Sequence, residues 1–152
     1  MMSHDIFKTK IFPLLDAGEK VFLIVIDNFR YDQWRVIREM LTDFYKLDEE
    51  DLYCSILPTA TQYSRNAIFS GLMPLQIKEM YPQYWIEEEE EEGRNLYEKE
   101  LIQTQLDRFR KKYTFSYYKV NESQYGKKLI ETIPNMLQND FNTIVFNFVD
   151  MM

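Results

Sequence analysis

Residues 20–30 read KVFLIVIDNFR, and this stretch determines the expected fold class. Its centre, 21–26, is apolar without interruption, which is typical of a strand inside a parallel sheet that has helices on both faces. We therefore expect 21–27 to be an interior strand. The run ends at Asp27, where a charge is unfavourable unless it is paired or ligates a metal ion. From position alone, a metal ligand and a cap of the next turn are equally good interpretations of Asp27.

Helical and strand patterns alternate along the rest of the chain. The predicted helices are 5–17, 31–45, 61–70, 95–112 and 125–137, and the predicted strands besides 21–27 are 52–58, 113–120 and 141–150. Residues 74–86 are expected to be irregular, and the six glutamates at 87–92 to form a solvated loop or the start of a helix. This alternation predicts an α/β fold with a mainly parallel central sheet flanked by helices.

The composition argues against several classes of protein. With 152 residues, 45% of them hydrophobic, the chain is long enough for one packed domain. No apolar run reaches the ~20 residues of a membrane span, and no secretion signal is visible. The single Cys54, expected as a small core residue, fits a reducing cytoplasm. The net charge is −7, but 87–92 contribute six of the negative charges, which leaves −1 and no concentrated basic face for nucleic acid.

The segment 57–74, LPTATQYSRNAIFSGLMP, is the most informative for function. It predicts a helix that is entered through a polar turn and ends at Gly71, with Thr59 and Thr61 as candidate N-cap residues. A hydroxyl at such a place lies where free N–H groups and the helix dipole favour an anion. It can attack phosphorus if a metal ion lowers its pKa. An ordinary N-cap is the simpler interpretation of either threonine by itself.

Topology brings these features together. Ligand sites of open parallel sheets lie outside the carboxyl ends of the strands. This rule places Asp27, the turn at 58–61 and Asp150 at one edge of the sheet. We expect the side chains of Asp27 and Thr61 to lie close enough to share one ion.

The two stretches together resemble the alkaline phosphatase superfamily. In that superfamily a strand-end aspartate that ligates a metal ion precedes a helix-initiating nucleophile, and a glycine and a proline follow the nucleophile. In this chain Asp27, Thr61, Gly71 and Pro74 stand in that order.

The pair Ser64–Arg65 follows Thr61 at the spacing of the sulfatase branch, which favours Thr61 over Thr59 as the nucleophile. The combination of IDNFRYDQW with the threonine segment is most similar to PglZ domains, particularly those of PorX-type response regulators.

This resemblance implies a metal-dependent phosphoester hydrolase, with an emphasis on phosphodiesters, that acts as the cytoplasmic effector part of a two-component response regulator. Thr61 would be the nucleophile, Arg65 and Asn28 would bind the substrate, and Asp27, Thr61 and Asp150 would ligate metal. The cofactor would be zinc, with two ions in the complete domain. The expected partners are a phosphoester or nucleotide-type small substrate and a signalling protein or a second copy of the chain.

The histidine count departs from the family's pattern. Further family ligands are histidines, whereas the only histidine here, His4, matches none of them. We therefore expect 1–152 to be the N-terminal part of a PglZ domain from a longer protein, with little hydrolysis by itself. Two alternatives stay open: a module of the same fold that has lost catalysis and serves signalling or protein interaction, and an unrelated phosphate-binding doubly wound domain.

Overall fold

The computed structural model describes residues 1–86, 95–121 and 123–147. The helices are α1 Phe12–Asp16, α2 Tyr31–Leu41, α3 Thr61–Ser70, α4 Pro74–Met80, α5 Glu98–Arg108 and α6 Ser123–Met136, and the strands are β1 Val21–Ile26, β2 Phe115–Val120 and β3 Phe141–Phe146. The strands form a three-stranded sheet in the order β1-β3-β2, and both pairings are parallel. The expected α/β class is therefore confirmed, and the helices predicted at 31–45 and 95–112 are shorter than expected.

The first predicted helix, 5–17, is helical but changes pitch. A 3₁₀ turn at Ser3–Asp5 leads into a π-helical turn at Phe7–Ile11, which is followed by α1. Pro13 lies in the first turn of α1 and has no N–H group for the regular helical ladder, so the break in pitch falls where the proline enters. The chain leaves α1 at Gly18, whose φ of +85° is the left-handed conformation that glycine adopts without strain.

The expectation that 21–27 is an interior strand is wrong for the described sheet. β3 lies between β1 and β2, so β1 has one neighbour. A continuous apolar run reports on the two faces of a strand and carries no information about its lateral neighbours. Leu23 packs against the main core on one face. Ile24, on the opposite face, is 55% exposed beside an open groove.

The strand predicted at 52–58 is absent from the described structure. Apart from one isolated bridge between Cys54 and Met2, this segment is irregular. Cys54 is exposed and is not the core residue that was expected. The apolar residues of a short run make a strand only when a neighbouring strand accepts the ladder, and the segment has none beyond that bridge.

Residues 74–86 are more regular than predicted. They contain α4 and a 3₁₀ turn at Pro82–Tyr84. Pro74 lies in the first turn of α4, where its missing N–H has no helical partner to lose and its fixed φ favours the helix. Pro74, in the stretch expected to be irregular, is therefore a helix start. The glutamates 87–92 lie outside the described residues.

The main core joins the N-terminal helical segment to α3 and the sheet. Phe7 packs edge-to-face on Phe69 of α3 and on Phe141 of β3, with centroid distances of 6.5 and 5.5 Å. α3 also packs along α5. These contacts hold the start of α3 above the carboxyl edge of the sheet. Among the helices of the described ranges, none is both long and apolar enough to cross a lipid bilayer.

Candidate active site

The core-facing side of each strand ends in a polar residue. Val25, Tyr117 and Val145 pack against the main core. Two residues further on, at the carboxyl edge, stand Asp27 after β1, Lys119 near the end of β2 and Asn147 after β3. The parallel ladder continues one step past the strands, since the Asp27 N–H bonds the Phe146 carbonyl at 3.0 Å and the Asn147 N–H bonds the Val120 carbonyl at 2.9 Å. The alternation of the strands therefore directs all three polar residues toward α3 and α5.

Thr61 is the first residue of α3, and its hydroxyl donates to Asp27 Oδ2 at 3.2 Å. The N-cap is Ala60, which has no side chain able to cap. The expected proximity of Asp27 and Thr61 is confirmed, whereas their chemical roles stay predictions. The first helical hydrogen bond of α3 runs from the Tyr63 N–H to the Ala60 carbonyl. The backbone amides of Thr61 and Gln62 therefore have no acceptor within the helix. Such amides favour an anion at this helix end.

Arg65, one turn into α3, ties the site to the interior. It is 2% exposed. Its Nη1 donates to Asp27 Oδ2 at 3.2 Å and to Asn147 Oδ1 at 2.6 Å, and its Nε donates to Glu98 Oε1 at 2.7 Å. Burial by itself lowers the pKa of Arg65, but the hydrogen bond and charge of Glu98 outweigh it and raise that pKa above its ordinary value. The predicted substrate role of Arg65 therefore rests on Nη2, which is buried and has no hydrogen-bond partner within the described ranges.

Glu98, the first residue of α5, is a fully buried carboxylate that several groups share. Besides Arg65, it accepts a short hydrogen bond from the Tyr117 hydroxyl and lies 3.8 Å from Lys119 Nζ. Burial and then the charge of Glu98 raise the pKa of Tyr117 well above its ordinary value. Burial lowers the pKa of Lys119, which the charge of Glu98 counteracts in part. A negative charge also suits the N-terminal end of α5.

Sequence reasoning missed Glu98, Lys119 and Asn147. The alternation of core-facing residues along β2 and β3 was a usable signal for Lys119 and Asn147. Glu98 carried no comparable signal, because it is one acid among many near the glutamate run. The candidate Asn28 is exposed and directly follows Asp27, with a φ of +55° that asparagine tolerates. Asp150 lies outside the described residues.

The described residues fit a zinc ion only in part. Asp27 and Thr61 are adjacent oxygen donors, which suit a divalent cation. A catalytic zinc commonly has three protein ligands. Within 1–86, 95–121 and 123–147, no three His, Cys, Asp or Glu residues are grouped so that they could hold a metal ion. Asp27 Oδ2 also already accepts from Thr61 and Arg65, so this part of the chain does not make up a zinc site by itself.

The comparison with known families agrees with this arrangement. The family model of the BREX system PglZ alkaline phosphatase-like domain matches residues 6–152. The match spans nearly the whole chain, which therefore belongs to this family of alkaline phosphatase-like domains. The resemblance to PglZ domains is confirmed. The matched model describes this domain alone. A search of curated proteins found no match.

Proposed function

We propose that this chain carries the nucleophile of a metal-dependent phosphoester hydrolase that acts on phosphodiesters. One observation carries the proposal: the Thr61 hydroxyl stands at an uncapped helix start and donates to the Asp27 carboxylate at 3.2 Å. A threonine that only capped its helix would bond the backbone of its own first turn. Here the hydroxyl is held by a strand-end carboxylate instead, beside amides that suit phosphoryl oxygens.

The residues of the chain have separate roles in the proposed reaction. Asp27 orients the Thr61 oxygen, and Arg65 holds Asp27 in place through the same carboxylate oxygen. The Thr61 oxygen bonds to phosphorus while its proton passes to Asp27 Oδ2, and the bond from phosphorus to one ester oxygen breaks. The departing oxygen takes up that proton and leaves as the alcohol. Water then hydrolyses the phosphodiester on Thr61, which releases the phosphate monoester and restores the Thr61 hydroxyl. The free amides at the start of α3 stabilise the charge that develops on the phosphoryl oxygens.

Zinc belongs to this proposal as the cofactor of the complete domain. Asp27 and Thr61 are the described residues that would hold it, and further ligands, Asp150 among them, would come from outside the described ranges. The ion would lower the pKa of the threonine hydroxyl and neutralise charge on the phosphoryl group. The resemblance extends the proposal to an effector role in a two-component response regulator.

Turnover of a generic phosphodiester tests the proposal. Because two oxygen ligands bind zinc weakly, the 152-residue chain should show little turnover with added zinc. A longer chain that adds downstream histidines should be active and should lose at least about 10³-fold in kcat on Thr61→Ala. Thr59→Ala is the matched control and should retain activity. Robust turnover by the short chain, or an active Thr61→Ala variant, would contradict the proposal.

A second candidate is a module of the same fold without catalysis. The observation that favours it is the incomplete ligand set within the described ranges. Metal analysis of the longer chain separates the two candidates. Stoichiometric zinc supports the hydrolase, and its absence supports the module.

A further inference from the structure

Lys119 is a cation at the carboxyl edge of the sheet that neither the family match nor the motifs assign to a function. It stands one residue before the end of β2, in register with Val145 of β3. Its side chain lies on the face of the sheet that α3 and α5 cover, because it reaches Glu98 of α5. Burial and the charge of Arg65 lower the pKa of Lys119, whereas the charges of Glu98 and Asp27 favour its ammonium form. Lys119 therefore stands beside Glu98, on the face of the sheet from which Asp27 also projects.

The contacts of Lys119 are long for a buried structural ion pair. Its Nζ lies 3.8 Å from Glu98 Oε2 and donates to the Asn95 carbonyl at 3.3 Å. Arg65, by comparison, donates to the same carboxylate at 2.7 Å, and Tyr117 makes a short hydrogen bond to it. The strong acceptor positions of Glu98 are thus taken by other groups. Lys119 keeps N–H donors that its described neighbours satisfy poorly.

The charged side chains of the site differ in how firmly they are paired. Arg65 and Lys119 supply two positive charges, and Asp27 and Glu98 supply two negative ones. Both carboxylates hydrogen-bond Arg65. The charge of Lys119 is therefore the less committed of the two, and solvent reaches its side chain, of which 23% is exposed.

We propose that Lys119 is a substrate-binding residue whose ammonium group binds an anionic oxygen of the phosphoryl group that Thr61 faces. The ligand class is a phosphate ester or inorganic phosphate. The site holds other N–H donors as well: the amides of Thr61 and Gln62, which have no intrahelical acceptor, and the buried Nη2 of Arg65, which has no hydrogen-bond partner among the described residues. The inference rests on the proposed function for the position of the phosphoryl group, but binding of the anion does not require turnover.

Binding of inorganic phosphate by the 152-residue chain tests the inference. Titration at constant ionic strength compares the wild type with Lys119→Gln, Lys119→Arg and Lys112→Gln. Lys112 is an exposed lysine just before β2, at the opposite edge of the sheet. Lys112→Gln removes the same charge as Lys119→Gln. Loss of a charge-assisted hydrogen bond should weaken phosphate binding about tenfold or more in Lys119→Gln. Lys119→Arg should retain most of the binding, and Lys112→Gln all of it.

A second measurement uses the unmodified chain, so that misfolding of a variant cannot mislead. Acylation by an amine-reactive reagent is followed by mass spectrometry with and without phosphate. Phosphate should slow the modification of Lys119 and leave that of Lys112 unchanged.

Equal phosphate binding by the wild type and Lys119→Gln would overturn the inference, as would undetectable binding by the wild type or unprotected Lys119. These outcomes are distinct from failure of the proposed function. If Lys119 governs phosphate binding while the longer chain hydrolyses nothing, the hydrolase proposal fails and the Lys119 site stands. If the longer chain is active while phosphate binding does not depend on Lys119, the Lys119 site fails and the hydrolase proposal stands.

Discussion

Arg65 connects the candidate nucleophile to the interior of the protein. Its guanidinium bridges the partly exposed Asp27 and the fully buried Glu98, and Asn147 accepts from it as well. A buried ion pair of this kind adds little net stability over an apolar pair, but removing one partner leaves an uncompensated charge. The bridge therefore makes the geometry of Asp27 depend on a residue that is almost fully buried.

We expect Arg65→Met to lower the free energy of unfolding by about 3–5 kcal/mol, because Glu98 then stays buried without its main partner. The matched control is Arg30→Met. Arg30 pairs with Asp32 on the surface, where such pairs contribute about 0–1 kcal/mol. Urea denaturation measures both variants. Similar losses in the two would show that the Arg65–Glu98 contact is not the anchor described here.

Tyr117 makes the free energy of unfolding depend on pH in the alkaline range. Burial and the charge of Glu98 raise the pKa of Tyr117 in the folded chain. A group of this kind stabilises the fold fully below its unfolded pKa of about 10, and this contribution is lost as the pH rises through the folded pKa. Tyr117→Phe should be less stable at neutral pH, because the hydrogen bond to Glu98 is lost, and its stability should fall less steeply above pH ~10. Parallel curves of unfolding free energy against pH would refute this.

The residues that sequence reasoning found are those whose chemistry is visible in a local pattern. Asp27 ends an apolar strand and Thr61 starts a helix, so each has a positional signal. The partners of Arg65 could not be predicted in the same way. Glu98 and Asn147 meet Arg65 across 33 and 82 residues of chain, and such contacts depend on packing that local periodicity does not encode.

At the scale of elements, α3 is defined at both ends by specific chemistry. It begins at Thr61 and ends at Gly71, whose φ is +66°. The side chain of Gln105, in α5, donates to the carbonyls of Ile68 and Phe69 at 3.1 and 2.8 Å and so satisfies the last turn. A Cβ on Gly71 would lie 2.3 Å from Gln105 Oε1. The glycine is therefore required by its backbone conformation and by the approach of α5.

Gly71→Ala should lower the free energy of unfolding by about 1–3 kcal/mol, since it combines left-handed strain with displacement of Gln105. Gly126→Ala, within α6, is the matched control. A Cβ at Gly126 meets nothing within 4 Å, so this change should stabilise the chain by about 0.5–1 kcal/mol. Thermal or urea unfolding compares the two. Equal effects of one sign would contradict the account of the α3 end.

Element boundaries were predictable where a residue type forces them, and poorly predictable elsewhere. Gly71 marked the end of α3, and Gly18 marked the end of the first helical segment. The segment 52–58 has strand-like composition, yet no neighbouring strand pairs with it beyond one bridge. The position of β1 in the sheet was also beyond local pattern, since lateral order is a property of the whole topology.

At the scale of the whole molecule, an open apolar groove lies on the face of the sheet opposite the candidate site. It has a volume of about 670 Å³ and is lined by β1, α2 and α6, with Ile24, Leu41 and Ile133 among its residues. No residue of α2 is buried. Exposed apolar surfaces of this kind mark sites of interaction with hydrophobic partners.

We expect anilinonaphthalene sulfonate to fluoresce strongly with the folded chain because it enters this groove. Ile24→Lys should reduce the fluorescence, since Ile24 lies on the floor that β1 provides. Val36→Lys adds the same charge at a position of α2 that is 67% exposed and outside the groove lining. Its fluorescence should match the wild type. Equal losses in both variants would show that the dye binds elsewhere.

The central claim is that Thr61, held by Asp27, forms a covalent phosphoester with the phosphoryl group of the substrate during turnover. The most direct test is to quench an active, longer chain with acid during hydrolysis of a phosphodiester and to locate the modified residue by peptide mass spectrometry. The account predicts on Thr61 a phosphoryl group that still carries the retained alcohol of the diester, no adduct in Thr61→Ala, and unchanged labelling of Thr61 in Thr59→Ala. Steady turnover with this adduct on Thr59 or Ser64, or with no covalent adduct at all, would contradict it.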